Sequence, residues 1–201
     1  MNTVPDLAAF VLAGGKSTRM GSDKAFLKIG GRTLLEHALS LARSLTSDVS
    51  IVGNTTTFSR YARTVEDIFP ERGPLGGIHA ALRSSRSDLN LMLSVDTPFV
   101  PAPFLRYLAE QATTGSVVTV PRVAGRWQPL CAIYRASFAD AAERALASGQ
   151  NKIDLLFSQV TVQALDESDW QPLGFSADIF RNLNTPEEFR DAQTSSKPSA
   201  G

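Results

Sequence analysis

The sequence predicts an α/β fold, a single-domain Rossmann-like three-layer sandwich with a mostly parallel central sheet. Three observations predict it. Short apolar runs alternate with amphipathic helical patterns, the order that builds a parallel sheet with helices on both faces. The chain has 201 residues, which suits one domain. Glycines, carboxylates and clustered cations fall at the carboxyl ends of the apolar runs, where open α/β sheets bind ligands.

Residues 8–12 form a short apolar run that reads as a buried strand. Gly14 and Gly15 follow at once, and adjacent glycines let the backbone come close to a ligand. Lys16, Arg19 and Lys24 then place three cations within nine residues. A strand, a glycine turn and clustered cations suit an anionic ligand such as a triphosphate, held by backbone N–H groups and side-chain charge. The ending Gly15-Lys16-Ser17-Thr18 imitates a P-loop, but that motif needs glycine at position 10, where this chain has Phe10.

Residues 25–29 read as a short extended piece ending at Gly30-Gly31. Thr33 starts a helix and forms a capping box with Glu36; Leu34, Leu35, Ala38, Leu41, Ala42 and Leu45 make its apolar face. Residues 48–52 are the second strand, 57–62 one or two helical turns, and 63–65 a third strand ending in Glu66-Asp67. Gly73 to Gly77 form a turn that feeds a helix from Ile78, whose N-terminus favours an anion or a polar ligand edge. Residues 89–95 are the most apolar run and so the expected central strand, ending at Asp96-Thr97-Pro98. A helix over 103–112, strands over 116–120 and 130–134, a helix over 137–147, a short helix over 153–159 and a strand over 160–165 follow. Thr185-Pro186-Glu187-Glu188 marks a last helix start. The domain is expected over residues 1–193, with 194–201 a disordered tail of small polar residues.

Bulk properties exclude several classes. Lys plus Arg and Asp plus Glu each number 20, and this balance argues against a nucleic-acid-binding surface. The one cysteine, Cys131, cannot form an internal disulfide; it reads as a buried inert thiol in a reducing, cytoplasmic setting. There is no signal peptide and no run long and apolar enough to span a membrane. Two histidines and one cysteine offer neither a zinc site nor a Ser-His-Asp set.

The residues at the strand ends point to phosphoryl or nucleotidyl transfer, which needs positioning, a divalent metal and positive charge around the reacting phosphate. Asp96 is the natural Mg²⁺ ligand, Lys24 can hold charge developing on an α-phosphate, and Arg19 can hold leaving pyrophosphate. Against these stand plainer roles: Asp96 as a strand-ending Asx turn, Asp67 as a solvated carboxylate, Asn182 and Asn184 as turn residues. Glu66, His79, Glu187 and Glu188 read as structural.

Residues 12–24, Leu-Ala-Gly-Gly-Lys-Ser-Thr-Arg-Met-Gly-Ser-Asp-Lys, resemble the signature loop of nucleotidyltransferases of the nucleotide-sugar type. Within that superfamily they are most similar to the molybdenum cofactor guanylyltransferases. The similarity runs from about Ala8 to Ala192 and includes Val65-Glu66-Asp67, Gly73-Pro74-Leu75-Gly76-Gly77, Ser94-Val95-Asp96-Thr97-Pro98 and Asn182-Leu183-Asn184-Thr185-Pro186, in order.

The resemblance implies the nucleotide-diphospho-sugar transferase fold and transfer of GMP from GTP to molybdenum-molybdopterin. Pyrophosphate would leave and a guanine dinucleotide cofactor would form. It implies that Leu12, Ala13, Gly14 and Gly15 meet GTP, with Lys24, Asp67, Gly77 and Asp96. It puts Mg²⁺ on Asp96 and turns Asn182 and Asn184 towards the pterin. The family pattern has an asparagine ending the second strand; this chain has Gly53 there, and the neighbouring Asn54 is carried as its counterpart in nucleotide binding. Related cytidylyltransferases carry alanine where Gly14 stands, which implies room for a purine. Molybdenum-insertion proteins or molybdoenzyme chaperones are implied as further partners, and no nucleic acid or membrane. The competing readings are a CTP- or sugar-phosphate nucleotidyltransferase and a non-catalytic nucleotide-binding regulator.

Overall fold

A computed structural model of the chain describes residues 6–14, 24–112 and 115–183. Strand β1, Leu7–Leu12, is buried along its whole length. It pairs in parallel with β4, Val49–Val52, on one side and with β6, Leu89–Ser94, on the other. Between β1 and β4 the chain forms a 3₁₀ turn, Lys24–Phe26, and a small antiparallel ribbon of β2, Lys28–Ile29, and β3, Arg32–Thr33. The turn replaces the single extended piece expected over 25–29.

Strand β5, Arg63–Val65, extends the parallel sheet beyond β4. On the other flank β9, Cys131–Arg135, runs antiparallel to β6, and β7, Val118–Val123, and β10, Val162–Leu165, complete the order β10-β7-β9-β6-β1-β4-β5. β6 therefore sits in the middle, as its apolar run predicts. A further strand, β8, Arg126–Trp127, folds back on β7 through Ala124 and Gly125, both at positive φ. Two central residues of that kind make a type I′ hairpin.

Alternate residues of β1 build the two cores. Leu7, Ala9 and Val11 pack with helix α1, Leu34–Arg43, and α4, Ala102–Gln111; Ala8, Phe10 and Leu12 pack with α3, Gly73–Ser84, and α5, Phe138–Ala147. Both limbs of the Thr33–Glu36 capping box are present. The buried face of α1 is wider than expected, because Leu39 joins it.

Helix α2, Thr55–Phe58, starts two residues earlier than its pattern predicts, because the Asn54 side chain accepts from Thr57 N at 3.1 Å and caps it. α3 starts at Gly73, so the glycines lie inside its first turn rather than before it. After β10 the sequence offers no periodicity, yet α6, Glu167–Trp170, forms behind an Asp166 capping box. Two 3₁₀ turns, Gln171–Leu173 and Ala177–Phe180, follow. Trp170, Phe175 and Phe180 all pack on Phe104 of α4, and this cluster draws the chain back across the sheet end. Among the described residues no helix is long and apolar enough to cross a membrane. The helix expected after Thr185 and the tail over 194–201 lie outside the described residues.

Candidate active site

The chain leaves β1, moves outward through β4 and β5, then returns to β6 on the opposite side of β1. The connections diverge there, and such a switch point opens a crevice at the strands' carboxyl ends. A cavity of about 870 Å³ occupies that place. Leu12 and Gly14 after β1, Asn54 after β4, Asp67 after β5, Gly77 on α3 and Asp96 after β6 line it together.

Asp96 is held by its own strand end. Its N–H donates to Ser94 Oγ at 3.2 Å, and Thr97 Oγ1 donates to the Ser94 carbonyl at 3.1 Å. Among the described residues its carboxylate makes no Asx turn. Instead Asp96 Oδ1 pairs with Lys24 Nζ at 3.0 Å. The Lys24 side chain is 11% exposed and that of Asp96 36%, so the ammonium is shielded while the carboxylate opens to the cavity. Lys24 begins its 3₁₀ turn, and that turn is gripped from behind: Phe26 stacks on Phe58 and packs against Tyr61.

The glycine loop is positioned by β4. Ala13 N and Gly14 N both donate to the Val52 carbonyl, at 3.0 and 3.2 Å. These two N–H groups are thus already used, which differs from the anion nest expected there. The Ala13 side chain is buried in the core beside α1. Gly14 has no positive φ, and among the described residues a Cβ on it would meet only ordinary contacts of 3.7 Å. Backbone strain therefore gives no reason for glycine here.

Close approach explains the α3 glycines. A Cβ on Gly76 would lie 3.0 Å from the Phe69 carbonyl, and one on Gly77 3.2 Å from Val52 Cγ1. The bare first turn lets the Asp67 carboxylate lie against it, 3.5–3.7 Å from those Cβ positions. Asp67 contacts solvent, yet the cavity walls thin the water around it, and this desolvation raises its carboxyl above the ordinary aspartate range. Glu66 accepts from Thr55 N at 2.8 Å, a structural role as expected, and that bond holds its carboxyl low.

Asn182 is exposed beside buried Leu183, whose N–H donates to the Asp96 carbonyl at 3.4 Å. This bond ties the segment carrying Asn182 to the metal-ligand candidate, although Asn182 is not part of the cavity wall. Gly15, Arg19 and Asn184 lie outside the described residues.

Several residues at the site take no role of their own from the sequence. Ser94 fixes Asp96, and Leu130, whose carbonyl accepts from Ser94 N at 2.8 Å, also lines the cavity. Glu71 lines it from a left-handed conformation, φ 63°. At Gly53 a Cβ would come within 2.8 and 2.9 Å of the Phe58 ring, so a buried phenylalanine fills the space an asparagine side chain would take. That is the physical reason for Gly53 in this chain. Cys131 is buried in β9 and its thiol is pushed up to about 12, which makes it inert as expected.

A mostly parallel three-layer sheet with this cavity at its switch point is the architecture of nucleotidyltransferases of the nucleotide-diphospho-sugar type. The fold alone is shared with 2-C-methyl-D-erythritol 4-phosphate cytidylyltransferase from Thermus thermophilus, at a TM-score of 0.70 and 19% identity over 94% of this chain and 98% of that one. Molybdopterin-guanine dinucleotide biosynthesis protein A from Archaeoglobus fulgidus superposes with a TM-score of 0.82 and 28% identity, over 94% of this chain and 97% of that one. A protein of Carboxydothermus hydrogenoformans named probable molybdenum cofactor guanylyltransferase is 35% identical over 92% of this chain and 93% of its own length. The model of the MobA-like NTP transferase domain matches residues 9–165.

The chain belongs to the MobA-like NTP transferase family, among its molybdenum cofactor guanylyltransferases, and is a transferase enzyme. The family points to a divalent metal. The residues present fit one: the Asp96 carboxylate opens to a cavity large enough for a nucleotide, and one carboxylate at such a place suits an ion held mainly by substrate phosphates and water.

Proposed function

We propose that the cavity binds GTP with Mg²⁺ on Asp96, and that the enzyme transfers GMP to the terminal phosphate of molybdenum-molybdopterin. An oxygen of that phosphate attacks the α-phosphorus of GTP. The bond from the α-phosphorus to the bridging oxygen of the β-phosphate breaks, pyrophosphate leaves with the electron pair, and a new phosphoanhydride forms. The metal, when bound, supplies positive charge to the phosphate oxygens.

The chain's own residues do the rest of the work. Lys24 approaches the α-phosphate as its oxygens gain charge, and shielding from water strengthens that interaction. Arg19 is proposed for the leaving pyrophosphate. Leu12, Gly14, Asn54 and Gly77 shape the nucleotide side, with Asp67 available as an acceptor for donors on ribose or base. Asn182 and Asn184 are proposed to face the pterin.

One observation carries the reading: a shielded lysine and an open aspartate, 3.0 Å apart, stand beside the cavity at the β1–β6 switch point. A pure binding protein has no need of a cation at the α-phosphate. The enzyme is proposed to work in the cytoplasm, handing its product on with molybdenum-insertion proteins or molybdoenzyme chaperones. The test is GTP- and metal-dependent release of pyrophosphate with molybdopterin as acceptor. Tight GTP binding with no pyrophosphate release would favour a regulator instead.

A further inference from the structure

Asp96 has a second neighbour region, formed by the loop after it and by the segment before Leu183. The Arg181 guanidinium sits over the Phe99 ring, its Cζ 4.6 Å from the ring centroid. Phe99 is three residues after Asp96 and packs against the core. Arg181 is two residues before Leu183, whose N–H reaches the Asp96 carbonyl. Phe180 and Leu183 are both buried, so Arg181 and Asn182 are two exposed polar residues held between two apolar anchors.

The stack occupies the face of the guanidinium and leaves the N–H donors at its edge unspent. Among the described residues none of them is engaged by a carboxylate or carbonyl. A planar guanidinium with a free edge offers two parallel donors, the geometry that matches a phosphate. The ring beneath holds it without consuming a donor.

Charge around the site says which phosphate needs it. The described cavity wall carries Glu66, Asp67, Glu71 and Asp96 and no arginine or lysine; Lys24, just outside it, is paired with Asp96, and the carboxylates still outnumber it. An acceptor that brings its own phosphate dianion to a bound triphosphate meets like charge there. A cation fixed on the Phe99 ring, in the loop after Asp96 and outside the cavity wall, offsets that repulsion where the acceptor arrives.

We propose that Arg181, stacked on Phe99, forms a phosphate subsite that holds the phosphate monoester of the acceptor next to Asp96. This rests on the guanylyl-transfer reading above and adds a charged residue for the acceptor's phosphate to the two asparagines proposed for its pterin. The phosphate tail of GTP is the other phosphate within reach, and the test separates the two.

Full-length wild type, Arg181→Ala, Arg181→Lys and Phe99→Leu are assayed for pyrophosphate release at varied molybdopterin with saturating GTP, and GTP affinity is titrated separately. Arg181→Ala should raise KM for molybdopterin roughly tenfold or more, as for loss of charge-assisted hydrogen bonds, with GTP affinity unchanged. Arg181→Lys keeps the charge without the fork and should fall between; Phe99→Leu should move the same parameter in the same direction. Unchanged KM for molybdopterin in Arg181→Ala, or GTP affinity falling in parallel, overturns the subsite while leaving guanylyl transfer intact. A wild type that binds GTP but turns over no molybdopterin overturns the proposed function, and the subsite with it.

Discussion

Lys24 Nζ stands 3.0 Å from Asp96 Oδ1, so the cation and the carboxylate that nucleotidyl transfer calls for neutralise one another in the free protein. The pair joins the 3₁₀ turn behind the glycine loop to the end of the central strand. On the proposed mechanism the two groups have separate tasks: Asp96 would hold the metal, which would supply positive charge, and Lys24 would face the α-phosphate.

The pair separates two kinds of loss. Asp96→Asn should fold normally, since the side chain opens to solvent, and should cut turnover by roughly two or more orders of magnitude. Lys24→Ala should lower kcat more than it raises KM for GTP, because its charge is needed most in the transition state. Steady-state pyrophosphate release checks both; near-normal rates from folded Asp96→Asn, or a Lys24→Ala effect confined to KM, would contradict these roles.

Asp67 sets a pH dependence of stability. Desolvation raises its carboxyl in the folded state, so the folded protein holds that proton more tightly than the unfolded chain. Its contribution is therefore most favourable below the ordinary aspartate pKa and is lost as pH climbs through the raised value. At neutral pH the ionised group costs stability. Asp67→Asn should then unfold at higher temperature than wild type at pH 7, and the difference should shrink towards pH 4. A variant less stable than wild type at pH 7 would contradict this.

Gly53 and Phe58 should behave as a coupled pair. Restoring the family asparagine in Gly53→Asn forces a side chain into the Phe58 ring, and such overpacking typically costs about 1–3 kcal/mol. In a Phe58→Leu background the same change should cost measurably less. Equal costs in both backgrounds, by denaturant unfolding, would show that the ring is not what keeps glycine at this position.

Gly14 makes a cleaner probe of base choice than the sequence suggests. Among the described residues a methyl group there meets only ordinary contacts, and the φ is not positive, so Gly14→Ala should change stability by no more than about 0.5 kcal/mol. Any loss then belongs to the ligand. The variant should weaken GTP more than CTP, up to roughly a hundredfold at about 1.4 kcal/mol per factor of ten. An unchanged GTP-to-CTP ratio in titrations would move selectivity to the first turn of α3.

The sheet was legible because its strands are short apolar runs punctuated by glycine and aspartate, and because Thr33 and Glu36 announce α1. The cavity was legible because Leu12, Gly14, Asp67 and Asp96 each end or follow such a run and Gly77 closes a glycine-rich stretch that opens a helix. What stayed hidden depends on distant contacts. No local pattern shows that Val52 takes the loop's N–H groups, whereas the Asn54 cap of α2 is a local signal overshadowed by the asparagine's expected role at the nucleotide. Residues 166–183 carry no period, because aromatic anchors on Phe104, rather than an amphipathic face, hold them. The Arg181–Phe99 stack joins two distant stretches of the chain and is invisible until both ends reach the central strand.

The most direct test of the central claim is nucleotide-dependent pyrophosphate release by the full-length protein with molybdopterin as acceptor, comparing GTP with CTP, ATP and UTP in the presence and absence of Mg²⁺. The account predicts release with GTP and Mg²⁺ that is at least tenfold faster than with any other nucleotide, accompanied by a guanine dinucleotide product. Equal or faster release with CTP, or GTP binding without any release, would contradict it.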